Sequence, residues 1–309
     1  MNLPAPHDHH QHNMTPTRLA LPARFVLAAA LAALLMAFAA AGCGSSSSGG
    51  VTVPQVAPAR TYALSGFRPS TPVAPGQTAL LSFAITQPSG KPLTDYRKCC
   101  EPHAGVDLII VRSDDSHLQY DDSDIAADGR ITQPVRLPAP GRYRVIVSAF
   151  LPVTNPQTQN NFQLFTTVTA RGTYKPQPIP SFNPTQVVDG YRFEVQGTPH
   201  LHAIQASFLT VHVTDRQGHP VTFTTWRGAL AHAIFIHQGS LDYFHTHVCS
   251  PGAIYCTSAL GATKVTGSST APGRLKVGVL LPEPGTWRMF LITYQHGRVL
   301  TVPYTLHVT

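Results

Sequence analysis

Eight of the twelve histidines that follow residue 42 fall between His200 and His247, and three of them have a spacing that metal chemistry can use. Ala231 to His237 and Leu241 to Val248 read as two strands joined around Gly239-Ser240, where glycine in the first loop position suits a two-residue type II′ hairpin. Pairing His237 with Asp242 sets Ile234 opposite His245 and His232 opposite His247, so His232, His245 and His247 share one sheet face. Opposed residues have Cα atoms ~4.5 to 5.5 Å apart, which lets three imidazole nitrogens reach one ion at ~2.0 to 2.1 Å. Neutral imidazole suits copper or zinc, and a three-histidine set leaves at least one coordination position open. Water fills that position, or a histidine from the pair His200-Leu201-His202, which comes early in the same domain. The same three residues also admit a structural reading, in which strand histidines bond backbone groups or face water.

The remaining histidines do not join this set. His212 alternates with Leu209, Val211 and Val213 and is expected at the surface; His219 and His296 sit beside glycines in apparent turns. His237 is on the opposite face from His232, and His307 ends the last strand. Catalysis finds no support, because the chain has no H-E-x-x-H, G-x-S-x-G or phosphate-loop pattern and no evident general base beside the histidines. A blue-copper site is excluded too, since no histidine follows Cys249 or Cys256 until His296. The expectation is that the protein is not an enzyme.

The elements that position the three histidines recur in the chain. Leu137-Pro-Ala-Pro-Gly141-Arg-Tyr143-Arg144 matches Leu281-Pro-Glu-Pro-Gly285-Thr-Trp287-Arg288. Phe83-Ala-Ile85-Thr86 with Gly90-Lys-Pro92 matches Val211-His-Val213-Thr214 with Gly218-His-Pro220, and Asp107 to Val111 matches His232 to Ile236. Three ordered matches indicate a tandem duplication. Each copy is a series of short β-rich runs cut by Gly/Pro turns, which predicts an all-β protein of two tandem immunoglobulin-like or cupredoxin-like antiparallel sandwiches. Boundaries are expected at 61–172 for the first sandwich and 189–309 for the second, with a semi-rigid Pro-rich linker over 173–188. Where the second copy has His232, His245 and His247, the first has Asp107, Tyr120 and Asp122. Asp114, Asp115, Asp121, Asp124 and Asp128 crowd the same segment, but without calcium-loop spacing, so a solvated acidic loop is expected there.

A compartment follows from the amino terminus. Arg18 and Arg24 precede an uncharged apolar stretch from Phe25 to Gly42, as in a secretion signal over 1–42. It ends Ala40-Ala41-Gly42-Cys43, which is similar to the lipobox of bacterial lipoproteins and makes Cys43 the expected acylation site. An uncleaved anchor helix is the alternative, the run being a little short of the ~20 residues a span needs. A flexible Gly/Ser tether over 43–60 follows. His7, His9, His10 and His12 lie upstream of the apolar stretch and would be removed with it; Met14 offers a second start, so residues 1–13 stand apart. The folded part is thus expected outside the cytoplasm, anchored by lipid in the cell membrane or outer membrane. In that oxidising setting Cys249 and Cys256 are the favoured bridge, which leaves Cys99 and Cys100 as a vicinal pair; two cross-domain bridges are the alternative connectivity. Cys99-Cys100-Glu-Pro-His103 also offers a soft-metal set.

Composition agrees with such an exterior protein. Charged residues make up 12%, and 22 Lys and Arg against 15 Asp and Glu give a formal charge of +7. No basic run is present, so nucleic acid is not an expected partner.

Four segments of the second copy carry a family resemblance: Asp215-Arg-Gln-Gly218-His-Pro220-Val, Trp226-Arg-Gly228-Ala-Leu-Ala-His232, Asp242-Tyr-Phe244-His245-Thr-His247 and Pro284-Gly-Thr-Trp287-Arg-Met-Phe290. Together they resemble exported bacterial proteins with YtkA-like domains, whose pattern runs D-x-x-G-x-P-V, Y-L-G-A-x-G-H, D-x-x-x-H-V-H-P and P-G-x-Y-R-L-F. The resemblance implies an immunoglobulin- or cupredoxin-like sandwich outside the cell with His232, His245 and His247 as ligands. The chain departs from the pattern at Val248, where proline is usual, and in the insertion that holds Cys256. Two functions follow as expectations. One is a lipid-anchored protein that binds copper or zinc, with the first copy as spacer or docking domain. The other is a metal-free structural lipoprotein that presents loops to a surface protein or polysaccharide.

Overall fold

In the computed structural model, residues 61–97, 105–152, 161–253, 259, 265 and 267–309 are described. The apolar runs of the first copy form β1 (Ala63–Arg68), β2 (Thr78–Thr86), β3 (Val106–Arg112), β4 (Leu118–Asp122), β5 (Asp124–Ile125), β6 (Arg130–Arg136), β7 (Gly141–Phe150) and β8 (Asn161–Ala170). Those of the second form β9 (Thr185–Val188), β10 (Tyr191–Val195), β11 (Ser207–Thr214), β12 (Ala231–His237), β13 (Tyr243–Val248), β14 (Arg274–Val279), β15 (Gly285–Gln295) and β16 (Arg298–Val308). The fold is all-β, and each copy is a sandwich of two antiparallel four-stranded sheets. The first has the strand orders β1-β2-β6-β5 and β4-β3-β7-β8; the second has β14-β11-β10-β9 and β13-β12-β15-β16.

The duplication read from the sequence reappears as topology. The series β1-β2-β6 and β4-β3-β7-β8 correspond strand for strand to β10-β11-β14 and β13-β12-β15-β16. The shared Gly-x-Pro anchors make the same turn: Gly90 N–H donates to Gln87 O at 2.8 Å and Gly218 N–H to Asp215 O at 3.1 Å. In the Pro-Gly-x-aromatic anchors, Tyr143 OH donates to Ala139 O at 2.8 Å and Trp287 Nε1–H to Glu283 O at 3.1 Å. Both rings are fully buried, so each needs such a partner for its polar atom.

Leu108, Ile110, Val145 and Val147 point into the first sandwich's core, and Ala233, Phe235, Met289 and Leu291 into the second's. Their neighbours on the opposite faces form a third cluster: Ile109, Val111, Leu118, Tyr120 and Ile146 of the first sandwich meet Ile234, Ile236, Phe290 and Ile292 of the second. The sheets β4-β3-β7-β8 and β13-β12-β15-β16 therefore pack against each other by their outer faces, within the compact unit Ala59–Thr309. That contact explains why β3 and β12 are apolar on both sides rather than alternating.

Two expectations need correction here. The linker expected over 173–188 ends sooner, because Thr185–Val188 pairs with β10 as an edge strand. Its earlier part is also tied down: Arg112 Nη2 donates to Lys175 O at 3.2 Å, Gln177 N–H to Asp114 Oδ2 at 2.8 Å and Thr305 Oγ1 to Pro180 O at 2.7 Å. The acidic segment is not wholly solvated. Asp124 and Asp128 are exposed, but Asp107 and Asp115 are each 1% exposed, since the second sandwich covers that sheet.

Candidate metal centre

Strands β12 and β13 pair in the expected register, with His232 opposite His247 and Ile234 opposite His245. His237 N–H donates to Asp242 O at 2.9 Å, as a His237–Asp242 pair requires. The turn itself differs from the two-residue type II′ loop. Residues 238–241 form a four-residue loop in which Leu241 N–H returns to His237 O at 2.9 Å, while Gln238 N–H bonds Thr286 O at 2.9 Å instead of closing a tight turn. Gly239 (φ 91°) and Leu241 (φ 58°) both take the left-handed region that this loop needs. The register survives because the loop is longer by one residue at each side, which leaves the alternation of faces unchanged.

The three imidazoles converge as expected. Ring centroids of His232 and His245 are 5.2 Å apart, those of His232 and His247 4.9 Å, and those of His245 and His247 5.3 Å. One nitrogen from each ring lies within 4.8 Å of the others, and His232 Nδ1 is 3.0 Å from His245 Nε2. An ion bound tetrahedrally at ~2.0 to 2.1 Å from each nitrogen asks for nitrogens about 3.3 Å apart, so small side-chain adjustments suffice.

His232 is fully buried, and the other two are half-buried. Burial, with His247 and His245 beside it, holds the His232 imidazole well below its ordinary pKa, so it is neutral at pH 7 and keeps a lone pair for coordination. Its far nitrogen, Nε2, lies 3.3 Å from Trp226 O. A proton on Nε2 donating to that carbonyl leaves Nδ1 as the acceptor toward His245 Nε2. Fixing one nitrogen through the other in this way is how metal-binding histidines are commonly oriented. The backbone at Arg227 (φ 49°) and Gly228 (φ 76°) turns sharply to aim the Trp226 carbonyl, and the Trp226 ring stacks on Tyr294 with centroids 6.0 Å apart.

The fourth side of the cluster is formed by the first sandwich, a side absent from the histidine hairpin taken alone. Tyr120 of β4 sits 5.3 Å from the His232 ring and 5.8 Å from the His245 ring. Its hydroxyl donates to Asp107 Oδ1 at 3.1 Å. Burial pushes the Asp107 carboxyl up to about 7, against the opposing pull of Arg227 and the hydrogen bonds from Tyr120 and Asp122. Arg227 lies over the Tyr120 ring at 4.8 Å and the Trp226 ring at 4.5 Å, and pairs with Asp122 at 2.8 Å. Asp107, Tyr120 and Asp122 are the duplicate counterparts of His232, His245 and His247. The signal that they belong here was present in the sequence: two copies that pack by one shared face bring equivalent positions together.

His200 and His202 stay away from the cluster. His200 is exposed, and His202 Nδ1 lies 2.8 Å from Thr309 Oγ1. Leu201 bridges Val308, which pairs with Gly285, whereas His232 pairs with Ile292, seven residues farther along β15. At ~3.3 Å per residue the two points are about 23 Å apart along the strand. The fourth coordination position therefore does not come from this pair. His212 is exposed, as expected, and so are His219, His296 and His307.

His237 takes part in a second group with Asp242 and Glu283, whose ligand atoms also lie within 4.8 Å. Its Nδ1 is 2.9 Å from Ser240 Oγ and 3.3 Å from Glu283 Oε1, and its ring packs 4.9 Å from Trp287. Those contacts tie the loop to the strand below it. Cys249 is buried, at 3% exposed. Cys43, Cys99, Cys100, Cys256 and His103 lie outside the described residues, as do the leader and tether, so the expected acylation, the Cys-rich metal set and the expected bridge partners of Cys249 lie there too.

Among solved structures, the chain is similar to a tetra-tandem repeat in the extending region of a large adhesion protein, at 14% identity over 81% of this chain and 49% of that one, with a TM-score of 0.25. It is similar to Salmonella alpha-2-macroglobulin reacted with methylamine at 14% identity over 81% of this chain, 15% of that one, and a TM-score of 0.24. Domains 4 and 5 of the S-layer protein SbsC match at 13% identity over 80% of this chain, 97% of that one, and a TM-score of 0.21. The chain thus spans about half of the adhesion fragment and a small part of the macroglobulin. No curated protein matches it. Residues 186–309, the second sandwich with its three histidines, match the family model of a domain of unknown function, DUF8832.

Proposed function

We propose that this protein binds one copper or zinc ion through His232, His245 and His247, as a lipid-anchored protein outside the cytoplasm. The observation that carries the reading is His232: a fully buried, neutral imidazole with Nε2 3.3 Å from Trp226 O, Nδ1 3.0 Å from His245 Nε2, and the His247 ring beside it. A buried histidine placed only for packing has no need of two more imidazoles beside it. The donor set is three borderline nitrogens, which favours copper or zinc over magnesium or calcium. The ion would be held by Nδ1 of His232 and one nitrogen each from His245 and His247, with an open position for a further ligand. The anchor is part of the same proposal and rests on the lipobox-like Ala40-Ala41-Gly42-Cys43.

Metal content and titration test the reading, with copper(II) and zinc(II) added to the wild type and to a His232→Ala/His245→Ala/His247→Ala variant. About one ion per chain, lost in the variant, supports it. Absence of binding at micromolar free metal would leave the three rings as interface packing and favour the alternative, a structural lipoprotein that binds a surface protein or polysaccharide.

A further inference from the structure

The first sandwich is more than a spacer for the second. Tyr120 of the first sandwich packs on two of the three imidazole rings, and its hydroxyl is held in place by Asp107. Arg227 links the two sides. It follows the Trp226 carbonyl that orients His232, stacks on Tyr120 and pairs with Asp122 of the first sandwich. Around this polar centre, Ile109 and Ile146 of the first sandwich close on Ile234 and Phe290 of the second.

We propose that the ion site is composite: the first sandwich is its fourth wall, and ion binding and docking of the two sandwiches are linked. The inference rests on the metal reading above. Its physical basis is that docking sets three properties of the site together. It dehydrates the face of the His232 and His245 rings that Tyr120 covers. It fixes, through Arg227, the segment whose carbonyl selects the His232 tautomer. It also sets the Asp107 and Asp122 carboxyls, held by Tyr120 and Arg227, on that side of the cluster. Each of these differs between docked and separated sandwiches, so an ion has different affinities for the two arrangements. By linkage, whatever factor docking adds to ion affinity the ion returns to docking. Separation of the sandwiches is then the route by which the ion is released, or passed to a partner that competes for the exposed face.

The test uses the full chain and two variants. Ile146→Glu places a charge in the apolar contact between the sheets, on the face that does not enter the first sandwich's own core. Tyr120→Ala removes the wall and leaves the surrounding isoleucines. Copper(II) and zinc(II) affinity and chelator-driven release are measured, with circular dichroism for folding and small-angle scattering for separation of the sandwiches. The expected result is that Ile146→Glu is folded but more extended and binds about tenfold more weakly or worse. Tyr120→Ala stays docked and releases its ion faster than the wild type. Wild-type affinity and release in a folded, extended Ile146→Glu protein would overturn the linkage while leaving the three-histidine site standing. If Ile146→Glu does not fold, Tyr120→Ala decides alone: unchanged release overturns the wall. A wild type that binds neither metal overturns the site itself, a distinct outcome.

Discussion

Arg144 and Arg288 occupy the same place in the two copies, Arg144 opposite Val111 and Arg288 opposite Ile236, and each reaches toward the hairpin loop of the other sandwich. Arg144 Nη1 donates to Ser240 O at 2.8 Å and Leu241 O at 2.9 Å. Arg288 interacts electrostatically with Asp115, in the loop between β3 and β4. The contact between sandwiches is thus reciprocal, as in an isologous dimer, although one chain supplies both halves. Duplication of a unit that paired by one face accounts for this arrangement and for the meeting of Asp107, Tyr120 and Asp122 with His232, His245 and His247.

Arg144→Ala removes two charged-donor hydrogen bonds across this contact and is expected to lower stability by about 1–2 kcal/mol, given that the site is partly wet. Arg142→Ala, two residues earlier and exposed, should stay within about 0.5 kcal/mol. Urea unfolding of both variants checks the contrast; equal losses would contradict the assigned role of Arg144.

The apolar contact should behave as a core. Ile234, fully buried between the sheets, is expected to cost about 2–5 kcal/mol when changed to Ala. Ile204, which is 79% exposed, should cost about 0.5 kcal/mol or less. Chemical denaturation distinguishes a buried interface from a loose one: a near-neutral Ile234→Ala would mean that the sandwiches do not stay docked in solution.

Asp115 gives a pH signature. Burial pushes its carboxyl up to about 7, Asp114 adds to the rise and Arg288 opposes it. An acid whose folded pKa exceeds its unfolded value of 3.8 binds its proton more tightly when folded. Its contribution is therefore complete below pH ~4 and is lost as pH rises through about 7. Metal-free Asp115→Asn should accordingly gain stability over the wild type between pH 5 and 8, by about 1–4 kcal/mol at the upper end. Thermal unfolding across that range reads the difference, and a constant offset would show that Asp115 does not titrate this way. Asp107, also pushed up to about 7, is common to both proteins and cancels.

Cys43→Ser, expressed with its leader in a bacterial host, is expected to move the protein from the detergent-extracted membrane fraction to the soluble exported fraction. Mass spectrometry of the wild type should find acyl chains on Cys43. An unmodified, membrane-bound Cys43→Ser protein would instead favour an uncleaved anchor helix.

The register of the histidine hairpin was legible because period-two alternation is rigid: once His237 faces Asp242, the positions of His232, His245 and His247 follow. The turn was less so, because Gly239 suits several loops and the choice fell to Gln238, whose N–H bonds Thr286. Thr185–Val188 looked like linker because its strand character comes from pairing with Tyr191–Glu194, and edge strands carry a weak pattern of their own. His200 and His202 were near the cluster only in sequence; the route of β15 and β16 sets them at its other end. Docking of the sandwiches did leave a trace. Asp107 to Val111 and Ala231 to Ile236 are buried at every position, a pattern that one sandwich core cannot explain and a covered outer face can.

The most direct test of the central claim is the metal content of the full protein after exposure to micromolar copper(II) or zinc(II), beside the triple variant of His232, His245 and His247 to Ala. About one ion per wild-type chain is expected, and none in a variant that keeps its β-sheet spectrum. Equal metal content in the two proteins, or none in the wild type, would contradict it.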